Sequence, residues 1–124
     1  MNTTAATKTL TTSIKLTAAI EKEMLRMVIE EGYGLRGKSR WITEATHGFL
    51  LMPNYPELVD IADVELDQGR VISFRLQDSL MHDIEKAIVE IRKQYPAMEG
   101  VKSKIFRASI LQRLLNAAAY KNLQ

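Results

Sequence analysis

Gly32-Tyr33-Gly34-Leu35-Arg36-Gly37-Lys38-Ser39 satisfies the pattern G-x-x-x-x-G-K-[ST]. In that motif backbone N–H groups cradle phosphates, the lysine reaches the outer phosphates and the hydroxyl holds a magnesium ion. The first six of these residues also fit the dinucleotide pattern G-x-G-x-x-G. Either chemistry requires a buried strand entering the loop and a helix leaving it. Before this loop, however, Ile20, Met24, Met27 and Val28 recur at helical spacing, and the segment ends in Glu30-Glu31, poor neighbours for a triphosphate. The context therefore predicts helix, turn and helix. A P-loop nucleotide site at Gly32–Ser39, with Val59–Asp63 as a remnant acidic strand, stays as an alternative reading that a chain of 124 residues leaves little room for.

Other reactive groupings are sparse. With no cysteine there is neither a disulfide framework nor a thiolate metal site. His47 and His82 each stand alone in a helical stretch without a second ligand at metal spacing, so both read as surface or cap residues. Glu21, Glu23, Glu30 and Glu31 read as ordinary solvated helix charges. No catalytic residue, metal or cofactor is expected, and the chain is not expected to be an enzyme.

The elements that carry the remaining polar groups occur twice. Ser13-Ile14-Lys15-Leu16-Thr17 aligns with Ser73-Phe74-Arg75-Leu76-Gln77 at a shift of 60 residues, polar on polar and apolar on apolar. A period of two means a half-buried strand, with Ser13, Lys15 and Thr17 sharing one face in the first copy and Ser73, Arg75 and Gln77 in the second. The period then becomes helical, with Ile20, Met24, Met27 and Val28 answered by Leu80, Ile84, Ala87, Ile88 and Ile91. Thr17 and Asp78 are the expected N-caps. These helices are expected to stop near Gly32-Tyr33-Gly34 and Gln94-Tyr95-Pro96. A second helix opens in each copy with Lys38-Ser39-Arg40 and Lys102-Ser103-Lys104, here at a shift of 64, and Ser39 and Ser103 read as caps. Trp41, Ile42, Ala45, Phe49 and Leu50, and Ile105, Phe106, Ile110 and Leu114, supply the core behind them.

The expected divisions are a flexible tail at 1–11, a first unit at 12–52, an acidic linker at 53–69, a second unit at 70–118 and a frayed end at 119–124. In the linker, Glu57 to Ala62 is expected to form a short helix. Five of the 15 acidic residues (Glu57, Asp60, Asp63, Glu65 and Asp67) fall between Pro53 and Gly69, where there is no Lys or Arg. The basic excess is thus concentrated in the two flanking units, which suits a polyanion-facing surface. Met1 to Thr12 has no long apolar run, so neither a signal peptide nor a membrane span is expected, and the reading is a cytoplasmic protein with no membrane partner.

Strand, amphipathic helix, turn, and a helix opened by a basic Ser-containing triplet resembles the ribbon-helix-helix family, to which Arc and MetJ belong. The best-matching stretches are Phe74-Arg75-Leu76-Gln77-Asp78-Ser79-Leu80 and Gly37-Lys38-Ser39-Arg40-Trp41-Ile42-Thr43-Glu44-Ala45. Two units in one chain resembles the tandem members, the TraY-type accessory proteins of conjugative plasmid relaxosomes. The resemblance implies a mainly α fold with a two-stranded antiparallel β-ribbon, a single-chain pseudodimer. It further implies sequence-specific binding of double-stranded DNA by a transcriptional regulator or a plasmid transfer accessory protein. Ser13, Lys15, Thr17, Ser73, Arg75 and Gln77 would then read bases. Lys38, Ser39, Arg40, Lys102, Ser103 and Lys104 would hold phosphates at helix N-termini. Further copies side by side on DNA, and a relaxase or other DNA-processing protein, are the implied additional partners. The competing class is a protein-interaction module such as an antitoxin or assembly factor, docking through Leu50, Leu51 and Met52 or through Leu58, Val59 and Ile61.

Overall fold

The computed structural model describes residues 8–62 and 69–122. Asp63, Glu65 and Asp67 of the acidic segment lie outside the described residues, as do residues 1–7 and 123–124. The described residues form β1 (Thr9–Leu16), α1 (Ala18–Glu30), α2 (Lys38–Leu50), α3 (Tyr55–Ile61), β2 (Arg70–Gln77), α4 (Asp78–Gln94) and α5 (Val101–Asn122). The architecture is mainly helical, with one two-stranded antiparallel sheet. Two boundaries differ from expectation. β1 begins at Thr9, inside the segment read as a tail, and α5 continues through Ala119 to Asn122, where fraying was expected.

The strands pair from Thr9 opposite Gln77 to Leu16 opposite Arg70, with Ser13 opposite Ser73 near the middle. Alternation puts Ile14, Leu16, Ile72, Phe74 and Leu76 on the inner face, where all are buried. A two-stranded ribbon is not stable by itself in water, so this inner face needs a helical layer. α2 packs on β2, α5 on β1, and α2 and α5 on each other. Phe106, early in α5, meets Phe74 edge to face with ring centroids 4.9 Å apart, which seats the start of α5 beneath the ribbon. Trp41, Ile42, Ile84, Ile91, Ile105 and Ile110 complete the core.

Each strand runs directly into its helix, and α1 and α4 begin 60 residues apart. Thr17 caps α1, its Oγ1 accepting the Ile20 N–H at 3.3 Å. Asp78 is not a cap. It is the first residue of α4, its N–H donates to the Lys8 carbonyl at 2.9 Å as a last rung of the ribbon, and extended Gln77 precedes it without a side-chain capping bond. Its carboxylate still favours the positive end of the helix.

Nor do Ser39 and Ser103 cap their helices. Gly37 holds the cap position of α2, and Ser39 and Ser103 lie one or two residues inside. The Trp41 N–H bonds the Gly37 carbonyl as the Lys104 N–H bonds that of Gly100, a spacing of 63 residues. Buried Thr46 and Ser109 repeat the same spacing, each hydroxyl donating to the carbonyl four residues earlier, at Ile42 and Ile105. The second helices therefore align one residue away from the match of the basic triplets. Glycine is required at 37 because the turn folds back on itself: a Cβ there would fall 2.4 Å from the Tyr33 carbonyl oxygen. Gly34, at φ +80°, supplies the left-handed conformation that lets it do so.

α3 starts two residues before the expected Glu57, with Pro56 in its first turn, and Tyr55 meets Phe49 edge to face. Pro56 and Val59 are buried, so Val59 is a core residue and not part of an exposed docking strip.

Glu21 corrects the reading of the α1 carboxylates as uniformly solvated. It is buried, and Arg70 at the start of β2 grips it with two bonds, Nε to Oε1 at 2.7 Å and Nη2 to Oε2 at 2.6 Å. The Arg70 bonds hold its carboxyl below its ordinary 4.5, outweighing burial, and Lys38 adds to the effect. A carboxylate whose folded value is depressed stabilises the fold above its unfolded pKa, and that stabilisation disappears as pH falls through the folded value. Thermal unfolding followed across pH is accordingly expected to show wild-type stability declining below about pH 4.5, with Glu21→Gln giving a shallower decline. An unchanged acid slope in Glu21→Gln would remove this pair from the account.

Candidate nucleic-acid interface

The outer face of the ribbon consists of four cross-strand rows: Thr9 with Gln77, Thr11 with Arg75, Ser13 with Ser73, and Lys15 with Val71. Of the six residues expected on this face, five are there. Ser13, Ser73, Arg75 and Gln77 are exposed and Lys15 is half-buried. Thr17 is the sixth, and it is displaced because it lies beyond β1 with its hydroxyl engaged in the α1 cap. Thr9, Thr11 and Val71 take places that the sequence reading left unassigned, although running the alternation back from Ser13 and Ser73 reaches all three. Lys15 and Arg75 share a face but are two rows apart, on either side of the Ser13–Ser73 centre.

The start of α2 is fastened to the outer edge of β2. The Arg75 backbone N–H donates to Ser39 Oγ at 2.9 Å. That bond uses an acceptor lone pair of the hydroxyl, so its proton remains available for a further acceptor. The opening N–H groups of a helix lack intrahelical partners, and together with the helix dipole they favour an anion. Lys38 and Ser39 are half-buried, Lys102 is exposed, and Ser103 and Lys104 are half-buried. Arg40 differs from them. Its side chain is 75% exposed, with Nε bonded to Glu44 at 2.9 Å and the guanidinium 5.2 Å from the Tyr33 ring centre, an exposed ion pair that leaves its other N–H groups facing solvent.

The glycine-rich segment lies between α1 and α2, a helix-turn-helix setting with no strand leading in. Tyr33, inside it, donates to Glu44 and accepts from Arg113 Nη2 at 2.8 Å. The Tyr33 and Arg40 bonds hold the Glu44 carboxyl below its ordinary value against the opposing effect of burial. These contacts turn the Tyr33 side chain onto α2 and α5, while Leu35 and Arg36 stay exposed.

No family model, curated protein or solved structure matches this chain. What the surface can do therefore rests on its own geometry. Among the described residues no group of three or more His, Cys, Asp or Glu side chains gathers to hold a metal ion. No helix among them is long and apolar enough to cross a membrane. Both histidines are exposed, His82 lying 3.7 Å from Asp78 and 3.4 Å from Glu85 on its own helix. A groove of about 720 Å³ runs beside the Arg75 row, lined by Arg40, Glu44, His47, Gln77 and Asp83 among others. Its lining carries both signs of charge. The outer face of the ribbon carries Lys15 and Arg75 and no acid, which makes it the better surface for a polyanion.

Proposed function

We propose that this protein is a tandem ribbon-helix-helix protein, a single-chain pseudodimer that binds double-stranded DNA sequence-specifically by laying its ribbon in the major groove. The observation that carries the reading is the outer face of the ribbon: seven of its eight side chains can donate or accept hydrogen bonds, two of them are cationic, and helix starts rich in Lys and Ser accompany it. The major groove admits a two-stranded ribbon and presents a distinct donor and acceptor pattern for each base pair. Arg75 and Lys15 suit guanine O6 and N7, and Gln77 suits adenine N6 and N7. Lys38 and Ser39 from α2, with Lys102, Ser103 and Lys104 from α5, supply phosphate contacts that position the ribbon.

Successive rows are roughly 6.6 Å apart, close to two base-pair steps, so four rows span on the order of six base pairs. The four rows are not symmetric about Ser13 and Ser73, and the site they read need not be a palindrome. Regulation of transcription and assistance to a DNA-processing enzyme at a transfer origin are the roles that fit such binding.

Selection of bound sequences from random duplexes tests the reading directly, and an enriched motif of about this length is expected. Affinity for the selected duplex should fall steeply with salt, with a log-log slope on the order of −5 to −7 for about 5–8 phosphate contacts. Replacing Lys38 and Lys102 by Ala is expected to weaken all sequences alike and to flatten that slope by roughly two. A slope that does not change removes these lysines from the phosphate contacts, and failure to enrich any motif overturns the proposal.

A further inference from the structure

One outward position of the ribbon breaks its chemistry. Thr9, Thr11, Ser13 and Lys15 on β1, and Ser73, Arg75 and Gln77 on β2, all carry hydrogen-bonding groups, whereas Val71 presents an isopropyl group that is 64% exposed. It points away from the core, so packing does not account for it. Strand preference does not account for it either, because Thr is β-branched too and occupies positions 9 and 11 of the same face. At the 60-residue spacing of the two strands the counterpart of Val71 is Thr11, so the apolar group belongs to one end of the ribbon only.

We propose that Val71 determines specificity by contacting the 5-methyl group of a thymine in the major groove. The inference rests on the ribbon reading above and extends it to a base. In the major groove the thymine methyl is the apolar mark that distinguishes A·T pairs, and an apolar side chain is what recognises it. Val71 lies directly across from Lys15, with Cβ atoms about 5 Å apart, so the two side chains address the same or adjacent base pairs. That end of the site then combines a thymine methyl with a guanine acceptor edge, while at the other end Arg75 and Gln77 offer hydrogen bonds to purines. The two half-sites differ accordingly, and the protein binds in one orientation.

The test uses the full chain and the duplex recovered from random selection, with each thymine replaced singly by deoxyuridine, which removes only the methyl. At one position the wild type is expected to lose about fourfold in affinity, the value of one buried methyl-sized group. Val71→Ala is expected to bind the parent duplex correspondingly more weakly and to be indifferent to that replacement, while Lys15→Ala keeps its sensitivity. Val71→Thr preserves β-branching and one of the two methyl groups, so it is expected to keep part of the sensitivity, while Val71→Ser, which keeps none, loses it; equal thermal stability of the Thr and Ser variants separates the methyl contact from any effect on strand stability. Specific binding in which no deoxyuridine position affects the wild type more than Val71→Ala overturns the inference and leaves the ribbon reading standing. If selection enriches no sequence at all, both fall together.

Discussion

Replacing Lys15 and Arg75 together by Ala is expected to reduce discrimination between the selected duplex and a scrambled one by about 100-fold or more, with weak general binding retained. A well-made side-chain contact to a base edge contributes roughly 1–3 kcal/mol of discrimination, and each 1.4 kcal/mol is about tenfold. Arg75→Ala should account for the larger share, because a guanidinium offers a planar two-pronged fork to guanine O6 and N7 whereas an ammonium is a point charge. The structure adds a condition on how the two losses combine. Arg75 pairs with Thr11 and Lys15 with Val71, which puts roughly 13 Å of strand between the two side chains. Groups that far apart with no shared partner act additively to within about 0.5 kcal/mol. Competition binding of both single variants and the double variant should thus give the product of the single losses. The anchoring of α2 is unaffected, since Ser39 holds the backbone N–H of residue 75 and not its side chain. Unchanged discrimination in the double variant would mean that the outer face of the ribbon does not read bases.

The alternating apolar residues made the inner face of the ribbon readable from sequence, and helical spacing did the same for most of the core. Ile14, Leu16, Ile72, Phe74 and Leu76 are buried as their period requires, and Met24, Val28, Ile84 and Ile91 likewise. Polar residues at element ends were harder to read. Thr17 continues the alternation of β1 and is also a good N-cap, and sequence cannot say which demand prevails; the turn into α1 decides it in favour of the cap. The start of β1 is not legible because Thr9 and Thr11 resemble a polar tail, and Leu10, the apolar residue between them, is only partly covered at the ribbon end. The basic triplets aligned Lys38 with Lys102, but surface charges do not fix a helical register. The buried pair Thr46 and Ser109 does, and it shifts the match by one residue. The Glu21–Arg70 pair joins residues 49 apart, and no local period announces it.

The second large effect is expected at Trp41, whose surroundings were equally invisible to local pattern. This indole is fully buried near the start of α2, and its N–H donates to Glu31 at the end of α1. The Arg113 guanidinium, from α5, lies 4.7 Å from the centre of its ring, reaches the Trp41 carbonyl at 3.3 Å and Glu31 at 3.2 Å, and meets Tyr33 as well. One side chain thus joins the end of α1, the glycine turn, α2 and α5. Trp41→Ala removes the ring and is expected to cost about 3–5 kcal/mol of stability. Trp41→Phe keeps most of the ring volume and the stacking surface for Arg113, and it leaves Glu31 still paired with that arginine. Its cost should be about 2 kcal/mol, from the lost hydrogen bond together with the small cavity left by the shorter ring. Urea unfolding should be followed by circular dichroism, because Trp41 is the sole tryptophan and its replacement abolishes the fluorescence signal. Since this cluster also fixes the first turn of α2, and through Ser39 the edge of β2, Trp41→Phe should bind the selected duplex like wild type. Trp41→Ala should bind weakly even at temperatures where it remains folded. If instead the folded Trp41→Ala protein binds DNA normally, the cluster is a stability device alone, and the start of α2 is positioned by Ser39 without it.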